Sequence, residues 1–252
     1  MKILISPAKL MNINSKTEFL KSTEPLFIKE AAHIQKFLKE KNPQFLKELM
    51  HISDKLAQEN WERNQNWTAN PSEENSSSAL FTFAGEVYRG LDAKSLKKDE
   101  VLYLQDHLRM LSGLYGLLKP SDAVMLYRLE MGCGFSFEQY KNLYAFWQEK
   151  LTAHLNAEVK PNDYILNLAS NEYSKAIQRK KLNCPVIDFD FKENKDGKLK
   201  TIVVYTKHAR GLVARFCAQK KVKNLEEVKA FNLEGYLFND ELSTENKFIF
   251  TR

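Results

Sequence analysis

Hydrophobic positions change their period several times along the chain, and each change marks an expected element. Lys2 to Ser6 form a short apolar run closed by Pro7, which predicts a buried strand at the start. From Ile28 to Trp67 apolar residues recur at helical spacing: Ile34, Phe37 and Leu38, then Phe45, Leu46, Leu49, Met50 and Leu56. At least two helices are expected there, and Asn42 before Pro43 supplies an N-cap and a proline at the first helical position. The polar stretch 68–78 is rich in turn residues and reads as a surface loop rather than a domain boundary.

Helical spacing returns from Val101 to Leu111, stops at Ser112 to Gly116, and gives way to a turn at Lys119 to Asp122. A longer helix is expected from Phe137 to Asn156. Tyr164 to Leu168 predicts a strand that breaks at Ser170 and Asn171, a cap for a helix carrying Tyr173, Lys175 and Arg179. Val186 to Lys192 and Leu199 to Thr206 flank the turn-forming Glu193 to Gly197, which predicts a hairpin, and a helix from Lys207 to Lys221 follows. One or two strands are expected beyond Tyr236. With helices crowding the first 160 residues and most strands after them, the expectation is one α+β domain over residues 1–252. Its N-terminal strand would join mostly C-terminal strands in a mixed sheet, with helices around it.

Composition narrows the class. The 252 residues are 43% hydrophobic and 28% charged, with 9 Gly and 7 Pro, which excludes disorder and fibrous repeats. No run approaches the ~18 apolar residues a membrane helix needs, and the N-terminal run is too short for a signal peptide, so a cytoplasmic location is expected. Cys133, Cys184 and Cys217 are odd in number and lack CxxC spacing; they suit a reducing compartment as core fillers.

The net charge of +6 is unevenly spread. Residues 171–223 carry 14 basic and 5 acidic side chains, whereas residues 1–170 balance at 21 of each. That asymmetry points to a polyanion-facing surface. On a helical wheel Lys207, Arg210 and Lys221 share one side, flanked by Arg215 and His208, opposite Leu212, Val213 and Phe216. Lys175, Arg179, Lys180 and Lys181 form a second basic cluster, and the two together would line a cationic groove if their helices were neighbours. A solvated helix face is the plain alternative.

Other motifs are partial. Leu108 to Gly116 compares with a helix-hairpin-helix, in which glycine lets backbone amides approach a phosphate; here two residues, Leu114 and Tyr115, separate the glycines instead of one. A glycine cap before a strand is the alternative. Ser6 and Lys9 have S-x-x-K spacing, but the companion elements of Ser/Lys acyl transferases are missing. Glu30 and His33 have the Glu-x-x-His spacing of di-iron bundles, which need two such motifs. No P-loop, dinucleotide-binding or zincin pattern occurs, and neither metal nor cofactor is expected.

Several strings together resemble the YaaA family: Ile5-Ser6-Pro7-Ala8-Lys9, Ile52 to Ala57, Leu108 to Pro120, Tyr127 to Gly132, Asn167 to Ser170 with Glu172 and Tyr173, Ala209 to Leu212 with Arg215 and Phe216, and Phe231 with Glu234 to Tyr236. They span nearly the whole chain. The resemblance implies a bacterial cytosolic protein of peroxide-stress resistance, linked to lowering unincorporated iron and hence Fenton damage, and binding DNA through a positively charged cleft and a helix-hairpin-helix-like element. On that basis Arg109, Gly113, Gly116, Lys175, Arg179, Lys180, Lys181, Lys207, Arg210 and Arg215 are candidate contacts to DNA, bound largely without sequence specificity, with no membrane and no obligate protein partner. A second set, Ser6, Lys9, Tyr127, Arg128, Glu130, Asn167, Ser170, Glu172 and Tyr173, exceeds what backbone contact requires. It suggests the alternative of an enzyme pocket for a nucleotide or damaged base, with Glu130, Glu172 and Lys9 as candidate catalytic groups. Buried ion pairs supporting the fold are the bland counterpart.

Overall fold

The computed structural model describes residues 1–13 and 19–252. From the N-terminus, β1 (Lys2–Ile5) and the short β2 (Leu10–Met11) precede three helices, α1 (Ile28–Lys39), α2 (Pro43–Met50) and α3 (Asp54–Asn66). Short pieces follow: β3 (Ser77–Ser78), α4 (Ala79–Thr82), β4 (Phe83–Ala84) and α5 (Glu86–Leu91). The middle of the chain holds α6 (Lys98–His107), β5 (Leu108–Ser112), β6 (Gly116–Leu118), β7 (Ala123–Val124) and α7 (Leu143–Glu158). The last third holds β8 (Ile165–Leu168), α8 (Asn171–Ser174), β9 (Val186–Lys195), β10 (Lys198–Lys200), α9 (Val203–Lys220), α10 (Leu225–Lys229), β11 (Leu237–Phe238) and β12 (Lys247–Thr251).

Local chemistry explains most boundaries. The Asn42 side chain caps α2 by accepting from the Phe45 amide, Ser53 caps α3 and Asn142 caps α7 in the same way. Asp196 and Gly197, both at positive φ, make the two-residue turn between β9 and β10, the geometry that suits the twist of paired strands.

The main sheet has eight strands in the order β11-β12-β9-β8-β1-β5-β6, with β10 paired to β9. β5, β1, β8, β9 and β12 run parallel, and β6, β10 and β11 are antiparallel additions. β1 is buried along most of its length and sits between β8 and β5; five of the eight strands come from beyond residue 160. The fold is therefore α+β with a mixed sheet. One hydrophobic core runs from Ile3 to Phe250.

Several expected elements differ. The helix expected to reach Leu111 stops at His107, and Leu108–Ser112 is a fully buried strand paired with Gly116–Leu118, so the helix-hairpin-helix is replaced by a β-hairpin. Burial decides this. Met110 and Leu111 are wholly enclosed, and a Cβ on Gly116 would meet the Trp147 ring at 2.6 Å. The expected helix from Phe137 starts at Leu143, and Thr206 belongs to α9 rather than to a strand. The helix expected to carry Arg179 ends at Ser174, with Arg179–Lys181 forming a separate 3-10 turn. Four short strands, β2, β3, β4 and β7, lie in the part expected to be helical.

Candidate functional site

The chain continues from β1 to β5 on one side of the sheet and later returns to β8 on the other, so crossings diverge at β1. In open parallel sheets such a point leaves a crevice beyond the carboxyl ends of the strands. Here a cavity of about 310 Å³ opens beyond the ends of β1 and β8. Ser6 and Ser170, the residues that leave those two strands, meet there: the Ser170 amide donates to Ser6 Oγ at 2.9 Å.

Charged side chains converge on this cavity from five parts of the sequence, among them Glu86 of α5. Lys9 follows β1, Arg128 and Glu130 come from the segment after β7, Glu172 from α8, and Lys207 and Arg210 from α9. Glu130 is their hub. Its Oε1 accepts from Arg128 Nε at 3.2 Å and Nη2 at 3.0 Å, and Lys9 Nζ lies 3.1 Å away. Arg128 and Glu130 side chains are only 14% and 13% exposed, whereas Lys9 is 65% exposed and stands at the mouth. Glu130 Oε2 is buried without a partner. Glu172 Oε1 accepts from the Gly132 amide at 3.1 Å, and a Cβ on Gly132 would press on the Glu172 side chain.

α9 supplies the least neutralised charge. Lys207 is exposed and makes no ion pair among the described residues, and Arg210, one turn on, is half-buried, with its Nε atom buried and unpartnered. Burial lowers the Arg210 pKa, opposed by the more distant carboxylates of Asp190 and Asp188. An unpaired buried guanidinium donor is costly unless a ligand completes it. Close helix packing fixes this pair: a Cβ on Gly90 of α5 would stand 2.1 Å from the His208 carbonyl oxygen, so α5 and α9 touch backbone to backbone.

Tyrosines wall the cavity. Tyr88 donates to the Ser6 carbonyl at 3.1 Å, Tyr127 shares a 2.6 Å hydrogen bond with Ser112, and burial raises the pKa of Tyr88, Tyr127 and Tyr173. All three stay neutral hydroxyls at physiological pH.

Eight of the nine expected pocket residues line this cavity, and so do Lys207 and Arg210. Asn167 does not: its amide donates to Asp188 at 2.6 Å. Tyr88, Gly85 and Glu86 of the cavity wall went unnoticed in the sequence, where α5 shows no pattern beyond a single Gly-Glu-Val-Tyr stretch.

The second basic cluster lies elsewhere. Lys175, Lys180 and Lys181 are exposed and do not line the cavity. Arg179 is held by Asp188 through two 2.6 Å hydrogen bonds. Arg215 donates to the carbonyls of Leu91 and Asp92 at the end of α5. Arg109, expected on a phosphate-binding hairpin, is 3% exposed and grips Glu158 with two 2.7 Å hydrogen bonds, and Gly113 and Gly116 are buried. Lys9 reaches Glu130 rather than Ser6, so the S-x-x-K pair is not a nucleophile with its base. Glu30 pairs with Lys150 and His33 with Glu138, on separate partners. Among the described residues no group of three metal-ligating side chains occurs, and no helix is long and apolar enough to cross a membrane.

The family model described as peroxide stress protein YaaA matches residues 1–242. Relatives called UPF0246 protein are similar over the full length of both chains: 48% identity in Flavobacterium johnsoniae, 46% in Flavobacterium psychrophilum and 44% in Francisella philomiragia.

Proposed function

The chain belongs to the peroxide stress protein YaaA family, and from that premise we propose that it binds DNA largely without sequence preference and seats one nucleotide unit, or a damaged base, in the cavity beyond β1 and β8. The observation that carries this reading is the convergence of Lys9, Arg128, Glu130, Lys207 and Arg210 on one cavity. Phosphate contact alone needs an open row of cations, whereas a cavity with carboxylates, tyrosines and two uncompensated cations suits a bounded ligand carrying a phosphate. Its volume stands at the lower end of the ~300–1,000 Å³ usual for ligand pockets, the size range of a single small ligand.

Within this reading Lys207 and Arg210 hold the phosphate, and Lys9 closes the mouth. Glu130 is held in place by Arg128 and Lys9, and Glu172, with one oxygen on the Gly132 amide, is the group placed to exchange a proton with the ligand. The exposed lysines 175, 180 and 181 contribute sequence-independent phosphate contacts. Limiting iron-dependent Fenton damage to DNA is the physiological outcome proposed. Burial pushes the thiols of Cys133 and Cys217 up to about 12 and also raises Cys184, which disfavours the thiolate form that peroxide chemistry needs.

Equilibrium binding of a deoxynucleoside monophosphate and of duplex DNA tests the reading. The Lys207→Ala/Arg210→Lys double variant should lose mononucleotide binding by tenfold or more while remaining folded. Failure of the wild-type protein to bind either ligand at low salt would overturn it.

A further inference from the structure

Beside the first cavity lies a second, of about 420 Å³, and Leu10, Ala84, Gly85, Glu86 and Tyr88 line both. The two are therefore neighbours across one wall, with Gly85 at the crossing: a Cβ there would meet the Ala8 Cβ at 3.1 Å. Both linings are mostly apolar. The first is studded with the charged groups of Lys9, Arg128, Glu130, Glu172, Lys207 and Arg210, whereas the second is walled by Leu80, Phe81, Phe83 and Ala93 and rimmed by Arg89, Asp92 and Lys94. Arg89 is paired with Glu86 and Asp92 with Arg215, but Lys94 is exposed and has no ion pair among the described residues. Leu10, at the rim between them, is 69% exposed, an apolar side chain left in water beside a polar mouth.

We propose that the two cavities form one cleft and that the second is a subsite for the neighbouring nucleotide of a single strand, its base against the apolar wall and Leu10 and its phosphate toward Lys94. This rests on the reading of the first cavity as a nucleotide site. The argument is one of matching parts. A ligand held by its phosphate at Lys207 and Arg210 and extended across Gly85 meets an apolar surface and then an unpaired cation, the alternation of base and phosphate along a strand. Apolar and aromatic surfaces that accept any base, combined with cations along the backbone, are the general means of holding single strands without sequence preference. Arg89 is less suited to the phosphate, because Glu86 already occupies it.

Length and charge test the subsite. Binding would be measured for a 5′-phosphorylated mononucleotide, the corresponding dinucleotide and a ten-nucleotide single strand, with wild-type protein and with Asn12→Glu and Lys94→Glu. Asn12 lines only the second cavity and is exposed, as is Lys94, so both variants are expected to fold. The dinucleotide should bind on the order of tenfold more tightly than the mononucleotide, and each variant should abolish that gain while leaving mononucleotide affinity within about twofold. Equal affinities for the two ligands, or variants that weaken both equally, would overturn the subsite and leave the first-cavity reading intact. No binding of the mononucleotide or of either longer ligand would overturn both. A ten-nucleotide strand that matches or exceeds the dinucleotide assigns the cleft to DNA, and a dinucleotide that binds when the strand does not assigns it to free dinucleotides.

Discussion

Gly211 and Val87 are joined by a contact that only glycine permits: a Cβ on Gly211 would stand 1.9 Å from the Val87 carbonyl oxygen and 2.6 Å from the Leu91 amide nitrogen. Gly90 makes the reciprocal approach to α9. The backbone-to-backbone crossing of α5 and α9 holds Lys207 and Arg210 over the cavity. Gly211→Ala must push the helices apart, at the upper end of the ~1–3 kcal/mol typical of overpacking. In a chain of this length that is roughly a 6–12 °C fall in Tm, and mononucleotide affinity should fall with it. An unchanged Tm measured by calorimetry would refute the crossing as described.

Glu130→Gln separates ligand binding from protection. The amide still accepts from Arg128 but withdraws the charge that balances Arg128 and Lys9, at a cost of about 1.5–3 kcal/mol for hydrogen bonds involving charged groups. Removing a carboxylate near the phosphate should leave DNA binding intact or tighter, while complementation of a deletion strain under peroxide should fail. A folded variant that protects fully would remove Glu130 from the site. Thermal unfolding must be read beside complementation, since an unfolded variant would imitate the loss.

Phosphate contacts should divide between the basic residues according to their partners. Lys180→Ala/Lys181→Ala should flatten the plot of log K against log salt by up to two contacts of about 0.9 each on duplex DNA. Arg179→Ala should leave the slope unchanged and lower stability instead, because Arg179 is bound to Asp188. A slope that responds to Arg179 and not to the lysines would reverse this assignment.

Buried Asp122 and half-buried Glu158 should bend the stability curve in opposite directions. Burial pushes Asp122 up to about 6, against hydrogen bonds from the Lys119 amide and Thr23. A raised folded pKa gives stability that is fully present below the unfolded value of about 3.9 and lost as pH rises through 6, about 2–3 kcal/mol between those limits. For Glu158 burial acts upward but is outweighed by hydrogen bonds from His154 and Arg109, which hold it well below the ordinary carboxylate range. Its contribution is present above about 4.3 and is lost as pH falls toward its folded pKa. Denaturant midpoints across pH 3–8 for Asp122→Asn and Glu158→Gln beside wild type check both signs. The Asp122 variant should lose the gain on acidification, and the Glu158 variant should flatten the acid limb.

Thiol labelling should be slow in the folded protein. Cys217, fully buried and raised to about 12, should react with a disulfide reagent on the time scale of unfolding; half-buried Cys133, also raised to about 12, should react more slowly than a free thiol, and Cys133→Ser should still protect cells from peroxide. Rapid labelling of Cys133 at neutral pH, or loss of protection in the serine variant, would restore a thiol mechanism.

Much of the fold was legible because it is written locally. The apolar run at Lys2 to Ser6, the Asn42-Pro43 start of α2 and the Asp196-Gly197 turn each appear in the structure, because caps and turns depend on residues within a few positions of one another. The pocket set was legible through family resemblance, and its members, Asn167 excepted, line one cavity. Helical periodicity misled at Leu108 to Leu111, where a run that is buried all round has the same apolar content as a helix. Tertiary structure decided what charge alone could not: which basic residues are spent. Arg109, Arg179 and Arg215 read as free cations in the sequence, yet Glu158, Asp188 and the carbonyls at the end of α5 occupy them. Lys207 and Arg210 look no different, and among the described residues they make no ion pair, because the α5–α9 crossing carries them to the carboxyl ends of β1 and β8. A side chain's type is local; its partner comes from residues 9 to 124 positions away, and only the folded chain brings them together.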